Sequence, residues 1–121
     1  MQRRRDIKFR ALVADEPMEW VYGYLVSEDR IYQLDAHSES KCCAQGTFTI
    51  VPESLGQYTG VFDKNGTPIY EGDIVEYIGE YYTIGFHKGA FCLLSEDELD
   101  MLTLHWLRFP DKVEIVGRRI M

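Results

Sequence analysis

A chain of 121 residues is one domain by size, with room for two subregions sharing a core. Its apolar fraction of 45% and charged fraction of 27% exclude wholesale disorder. The net charge of −7, from 13 basic and 20 acidic residues, speaks against a general nucleic-acid binder, because phosphate neutralisation supplies most of that affinity.

Ile7–Val13 alternates as a strand, with Ile7, Phe9, Ala11 and Val13 on one face and Lys8, Arg10 and Leu12 on the other. Ala14–Glu19, which holds Pro17, is a turn. Glu19–Val26 is a second strand: Trp20, Tyr22 and Tyr24 share a face, opposed by Val21, Gly23 and Leu25. Gly23 inside it signals a bulge or a close approach of backbone. Ser27–Arg30 is a polar hairpin connection, and Ile31–Leu34 a short third strand. Asp35–Gln45 has no periodicity and reads as a loop. Thr47–Pro52 is strand-like, with Phe48 and Ile50 on one face, and Pro52–Gly56 turns out of it.

Three turn signals then crowd into Gly56–Ile78, GQYTGVFDKNGTPIYEGDIVEYI. Asn65 and Gly66 tolerate the positive φ that primed hairpin turns require, so Asp63–Gly66 is expected to be a tight turn between Gly60–Phe62 and Thr67–Tyr70. Pro68 belongs at a strand start or on an edge, since it has no amide to donate. A second turn, Glu71–Asp73, feeds Ile74–Ile78, where Val75 and Tyr77 point one way and Ile74, Glu76 and Ile78 the other. Gly79-Glu80 turns the chain into Tyr81–His87, whose apolar face is Tyr82, Ile84 and Phe86. His87–Gly89 turns it again into Ala90–Leu94.

Asp73–Leu94 is therefore a three-stranded antiparallel meander. It has the pattern of a small, strongly bent barrel of the Src-homology type, closed by a later strand, Lys112–Gly117. The spacing predicts a helix between them. Ser95 and Glu98 fit a capping box, the acids of the first turn complement the macrodipole, Leu99, Leu102 and Trp106 share a face, and Pro110 closes the segment. Such a helix would plug or cover the barrel.

The motif GQYTGVFDKNGTPIYEGDIV resembles the signature of the YopX family of phage and prophage proteins. Asp6–Ala11 and Glu19–Gly23 resemble that family's opening, and Val113–Gly117 its closing strand, so the resemblance spans essentially the whole chain. Asp29–Glu53 and Ser95–Pro110 match only loosely. The resemblance implies an origin in a mobile element and implies no particular activity.

Each group that might carry chemistry has a plainer structural reading. Glu71 and Asp73 flank Gly72 and could hold a cation, but an Asp in this position usually caps its own turn. Glu96, Asp97, Glu98 and Asp100 read as the solvated start of the helix. His37, His87 and His105 are scattered, with no Ser or Cys placed as a nucleophile. Cys42, Cys43 and Cys92 lack the spacing of a redox or zinc motif, and three free thiols suit a reducing compartment. Tyr58, Tyr70, Tyr77, Tyr81 and Tyr82 could stack bases, but Lys and Arg do not interleave with them, so core packing is their expected role. Arg3, Arg4, Arg5, Lys8 and Arg10 crowd the N-terminus, either as a solvated end or as an arm touching phosphate or an acidic partner.

The expected fold is mostly β (α+β). An N-terminal antiparallel sheet, residues 1–54, runs continuously into a C-terminal Src-homology-like barrel, residues 55–121, that carries one short helix. No apolar core follows the basic first residues as in a signal peptide, and no run approaches the ~18 apolar residues of a membrane span, so a cytoplasmic location in the host cell is expected. No catalytic, cofactor-binding or metal-binding residue is assigned, and no cofactor. The expected function is a non-enzymatic phage or prophage accessory protein that binds another protein. The alternative is a nucleic-acid-associated role, through the basic arm or by acidic mimicry of DNA. The aromatic face of Trp20, Tyr22 and Tyr24, or Tyr81 and Tyr82, or a free strand edge, points further to a homo-oligomer.

Overall fold

In a computed structural model the description covers residues 7–16, 18–33, 46–96 and 101–118. Short alternating runs punctuated by glycine turns fold as strands throughout, so the chain is mostly β. It divides into two compact units, Met1–Tyr58 (with Met121) and Thr59–Ile120. The expected loop Asp35–Gln45 lies outside the described residues, as do Arg3, Arg4, Arg5, His37, Cys42, Cys43 and Asp97–Asp100. Among the described residues no helix is long and apolar enough to cross a membrane.

The first unit holds β1 (Phe9–Leu12), β2 (Trp20–Ser27), β3 (Arg30–Gln33), β4 (Gly46–Thr49) and the start of β5 (Gly56–Phe62), in the order β4-β3-β2-β1-β5. Phe9 pairs with Gly23 and Ala11 with Val21, so the odd residues of β1 and β2 share a face, as their alternation predicts. That face buries Ala11, Val21, Ile31 and Ile50, with Phe9, Val13, Phe48 and Leu55 packed against them. The sheet rolls strongly. Past its end, β4 meets the end of β1: Val13 bridges Ile50, the Ala14 amide donates to Thr49 O and the Val51 amide to Leu12 O, both at 2.9 Å.

Gly23 marks a close approach of backbone, one of the two roles its sequence position suggested. A Cβ there would lie 2.0 Å from the carbonyl oxygen of Tyr32 on β3. The bulge is elsewhere, between Leu25 and Ser27, where the register of β2 against β3 shifts. Ser54, in a 3-10 turn at Pro52–Ser54, is buried and fully used. Its hydroxyl accepts from the Leu12 amide at 2.8 Å and donates to Val51 O at 2.6 Å.

The second unit carries β6 (Pro68–Tyr70) beside the end of β5, and a sheet of β7 (Asp73–Tyr77), β8 (Glu80–His87), β9 (Ala90–Leu94), β10 (Met101–Thr103) and β11 (Glu114–Arg118), ordered β10-β9-β8-β7-β11. The β7–β8–β9 meander is antiparallel, as expected. Its first turn lies one residue earlier than expected, at Ile78-Gly79, because Glu80 already pairs with Tyr77. Both Ile78 and Gly79 have positive φ (50° and 79°), as do Lys88 and Gly89 (51° and 81°) in the second turn. These are the dihedrals of a primed hairpin, whose twist matches the flanking strands. The core face buries Ile69, Val75, Tyr77, Ile84, Phe91, Leu93, Leu104 and Val113.

Two expectations are corrected here. The sheet is open rather than closed into a barrel: β10 and β11 are its two edges, and β11 adds only to β7. The expected helix is not formed over Met101–Trp106. Met101, Leu102 and Thr103 pair with Leu94, Leu93 and Cys92 as β10, and Leu104–Trp106 is one 3-10 turn. The edge of β9 offers backbone partners that a helix would leave unsatisfied, and tertiary pairing outweighs a few tenths of a kcal/mol of helix propensity per residue. Most of the capping box lies outside the described residues. From Leu104 the chain crosses the core face as a strap to β11, with a second 3-10 turn at Pro110–Lys112. Leu104, Leu107 and Val113 point from the strap into the core.

Candidate interaction surface

The Asp63–Gly66 turn is a structural rivet. Asp63 is buried, and its carboxylate takes three backbone amides: Oδ1 accepts from Asn65 and Thr67 at 2.9 Å each, and Oδ2 from Ile115 on β11 at 3.1 Å. Gly66 sits at φ 81°, as the Asn-Gly signal requires. The Lys64 amide donates to Val113 O at 2.8 Å, and Lys64 Nζ lies 3.3 Å from Glu114. That last pair is half-exposed and contributes little. The carboxylate is thus occupied in holding the hairpin against an edge strand.

Asp73 and Glu71 do not form an exposed pair. Asp73 is fully buried and its Oδ2 accepts from the Tyr70 amide at 2.8 Å, so it caps its own turn, while Glu71 is only half-buried. Tyr58, Tyr70 and Tyr77 are buried, and Tyr82 packs on the core of the second unit. Of the five tyrosines considered for base stacking, Tyr81 alone is exposed, at 62%. It lines a shallow groove of about 280 Å³ with Ile74, Tyr82, Thr83, Leu94 and Glu96. Cys92 is a buried free thiol. Among the described residues no cluster of three or more His, Cys, Asp or Glu could hold a metal ion.

Two cations of the N-terminal run are engaged within the first unit. The guanidinium of Arg10, only 2% exposed, lies 5.0 Å from the ring centroid of Trp20, and Lys8 Nζ lies 5.5 Å from that of Tyr58. The proposed aromatic face of β2 is split: Tyr22 is buried, Trp20 is half-buried and Tyr24 is exposed. Exposure continues into Leu25 and Val26, giving a run of three apolar residues at the end of β2.

The largest exposed aromatic is Trp106, at 86%. The strap puts it there. Leu104 and Leu107 turn into the core, so in the 3-10 turn between them His105 and Trp106 face outward. The support beneath is fixed: the buried ring of Phe91 meets His105 at 6.5 Å, and Phe86, 55% exposed, stands edge-on to Phe91 at 5.1 Å. Further along the strap, Arg108 lies over the ring of Phe109 at 5.7 Å. The Phe109 amide donates to the hydroxyl of Tyr77, at 3.1 Å, which anchors the strap to the sheet.

A helical periodicity placed Trp106 on the inward face with Leu102. The signal that finds it is the Leu104–Leu107 pair, three residues apart and followed by Pro110, which suits a short 3-10 turn better than a helix. The family model described as YopX protein matches residues 8–118. No curated protein matches the chain.

Proposed function

The chain belongs to the YopX family, and on that footing we propose that it is a phage- or prophage-encoded accessory protein of the host cytoplasm. It works without catalysis, by binding another protein through the surface around Trp106. The observation that carries this reading is the 86% exposure of Trp106 on the strap, next to His105, which meets the ring of Phe91. Single exposed apolar residues are ordinary. A Trp held outward on a turn flanked by the buried Leu104 and the partly buried Leu107 is the kind of residue that dominates binding energy at interfaces. The test is photo-crosslinking from position 105 in lysogenic or infected cells. A defined protein adduct is expected, and it should disappear in Trp106→Ala while the melting temperature stays unchanged. An adduct that survives in Trp106→Ala removes this surface from the function.

Self-association is a second reading, carried by Tyr24, Leu25 and Val26 at the end of β2. Sedimentation equilibrium over a wide concentration range is expected to show a mass above the monomer's, reduced by Val26→Lys. A monomer mass at every concentration ends it.

A further inference from the structure

The charges around Trp106 differ from those of the rest of the second unit. Lys88, exposed in the β8–β9 turn, follows Phe86 and His87 closely, and Arg108 and Lys112 stand exposed on the strap. Asp111 is the one acid within Leu104–Lys112. Outside the strap's own residues, Glu71, Glu76, Glu80, Glu96 and Glu114 make the same unit acidic. A cationic, aromatic face on a chain of net charge −7 is a local reversal of the protein's own field.

Resting on the reading of Trp106 as a protein-binding surface, we infer that its partner is an acidic peptide segment, with carboxylates flanking an aromatic or branched aliphatic side chain. The apolar side chain packs against Trp106 and Phe86. The carboxylates meet Lys88 and Arg108, and the planar Arg108 guanidinium, held over Phe109, suits a two-point contact with a carboxylate. A nucleic acid fits less well. A phosphate backbone needs a continued track of cations, whereas this face offers Lys88, Arg108 and Lys112, and the net negative charge repels a long polyanion. A short segment with a few carboxylates feels mainly the local cations, because longer-range repulsion is screened over about 10 Å at ordinary salt.

The experiment is selection of short random peptides on the immobilised full chain, followed by titration of the selected peptides. Acidic peptides with an aromatic or aliphatic centre are expected. Their affinity should fall with added salt, and roughly tenfold in the Lys88→Glu/Arg108→Glu double variant, both signatures of charge pairing. Selection of neutral or basic peptides that still require Trp106 overturns the acidic partner and leaves the surface standing. Peptides bound equally by Trp106→Ala overturn the surface itself, and an empty selection overturns the acidic partner. A single-stranded oligonucleotide that displaces the peptides and binds more tightly also overturns it, in favour of nucleic acid. Unchanged melting temperatures in the variants keep each result tied to binding.

Discussion

In the first unit four aliphatic residues, Ala11, Val21, Ile31 and Ile50, fill a sheet that rolls until Val13 bridges Ile50. In the second, eight residues, among them the larger Tyr77, Phe91 and Leu104, fill the space between an open sheet and a strap. The first is limited by how closely backbones approach, as at Gly23, so an added atom does the damage. The second is limited by how well side chains fill a gap, so a removed atom does.

Leu104→Ala tests the second half of that contrast and carries the largest expected effect, a loss of about 3–4 kcal/mol by urea unfolding, since it empties a fully buried site under the strap. Gly23→Ala tests the first. One added methyl should destabilise by about 2–3 kcal/mol and speed amide exchange most in β2 and β3, because its contact at 2.0 Å is with backbone. If the two variants exchanged places, with Gly23→Ala harmless, the rolled sheet would be looser than described. Asp63→Ala should lose about 2 kcal/mol by removing the charged acceptor of three amides, with exchange at Ile115 accelerated.

Ile78→Asn sharpens the comparison between the two hairpin turns. Ile78 is β-branched, exposed and at φ 50°, whereas Lys88 fills the same place in the next turn. Asn adopts this conformation more readily, so the variant should gain about 1 kcal/mol. Trp106→Ala is expected to change stability least, by within about 0.5 kcal/mol, because the side chain is in solvent. A large loss would mean that the ring packs against the protein.

Several strands were legible because they are buried on alternate residues, as in β7, and alternation is then imposed on the sequence. Phe9, Ala11 and Val13 share the core face, Val75 and Tyr77 share another, and Gly66 takes the positive φ that Asn65-Gly66 announces. The strap was not legible. Ser95 and the acids after it satisfy a local helix rule, yet Met101–Thr103 answers to a distant partner, the open edge of β9. Barrel closure was expected and is not found, for the same reason: whether an edge strand finds a further strand or a covering strap depends on contacts far apart in sequence. The candidate surface inherited that error, since the exposure of Trp106 follows from the strap and not from its own neighbours. The catalytic and cofactor assignments were left empty on sequence grounds; of the Glu71 and Asp73 pair weighed there, Asp73 binds a backbone amide, and the more heavily used carboxylate, Asp63, was noticed only as part of a turn.

The Asp63 rivet also has a consequence for vectorial synthesis. Oδ1 finds its amides within four residues, but the partner of Oδ2 is 52 residues further along the chain. At common elongation rates about 3–10 s separate the translation of Asp63 from that of Ile115. For that interval the nascent hairpin holds a half-used carboxylate, and β7 presents the edge that β11 will later cover. The second unit therefore completes its sheet only once Ile115 has been made, and ribosome-bound chains halted before residue 115 should expose β7 to proteases and holding chaperones that longer chains exclude.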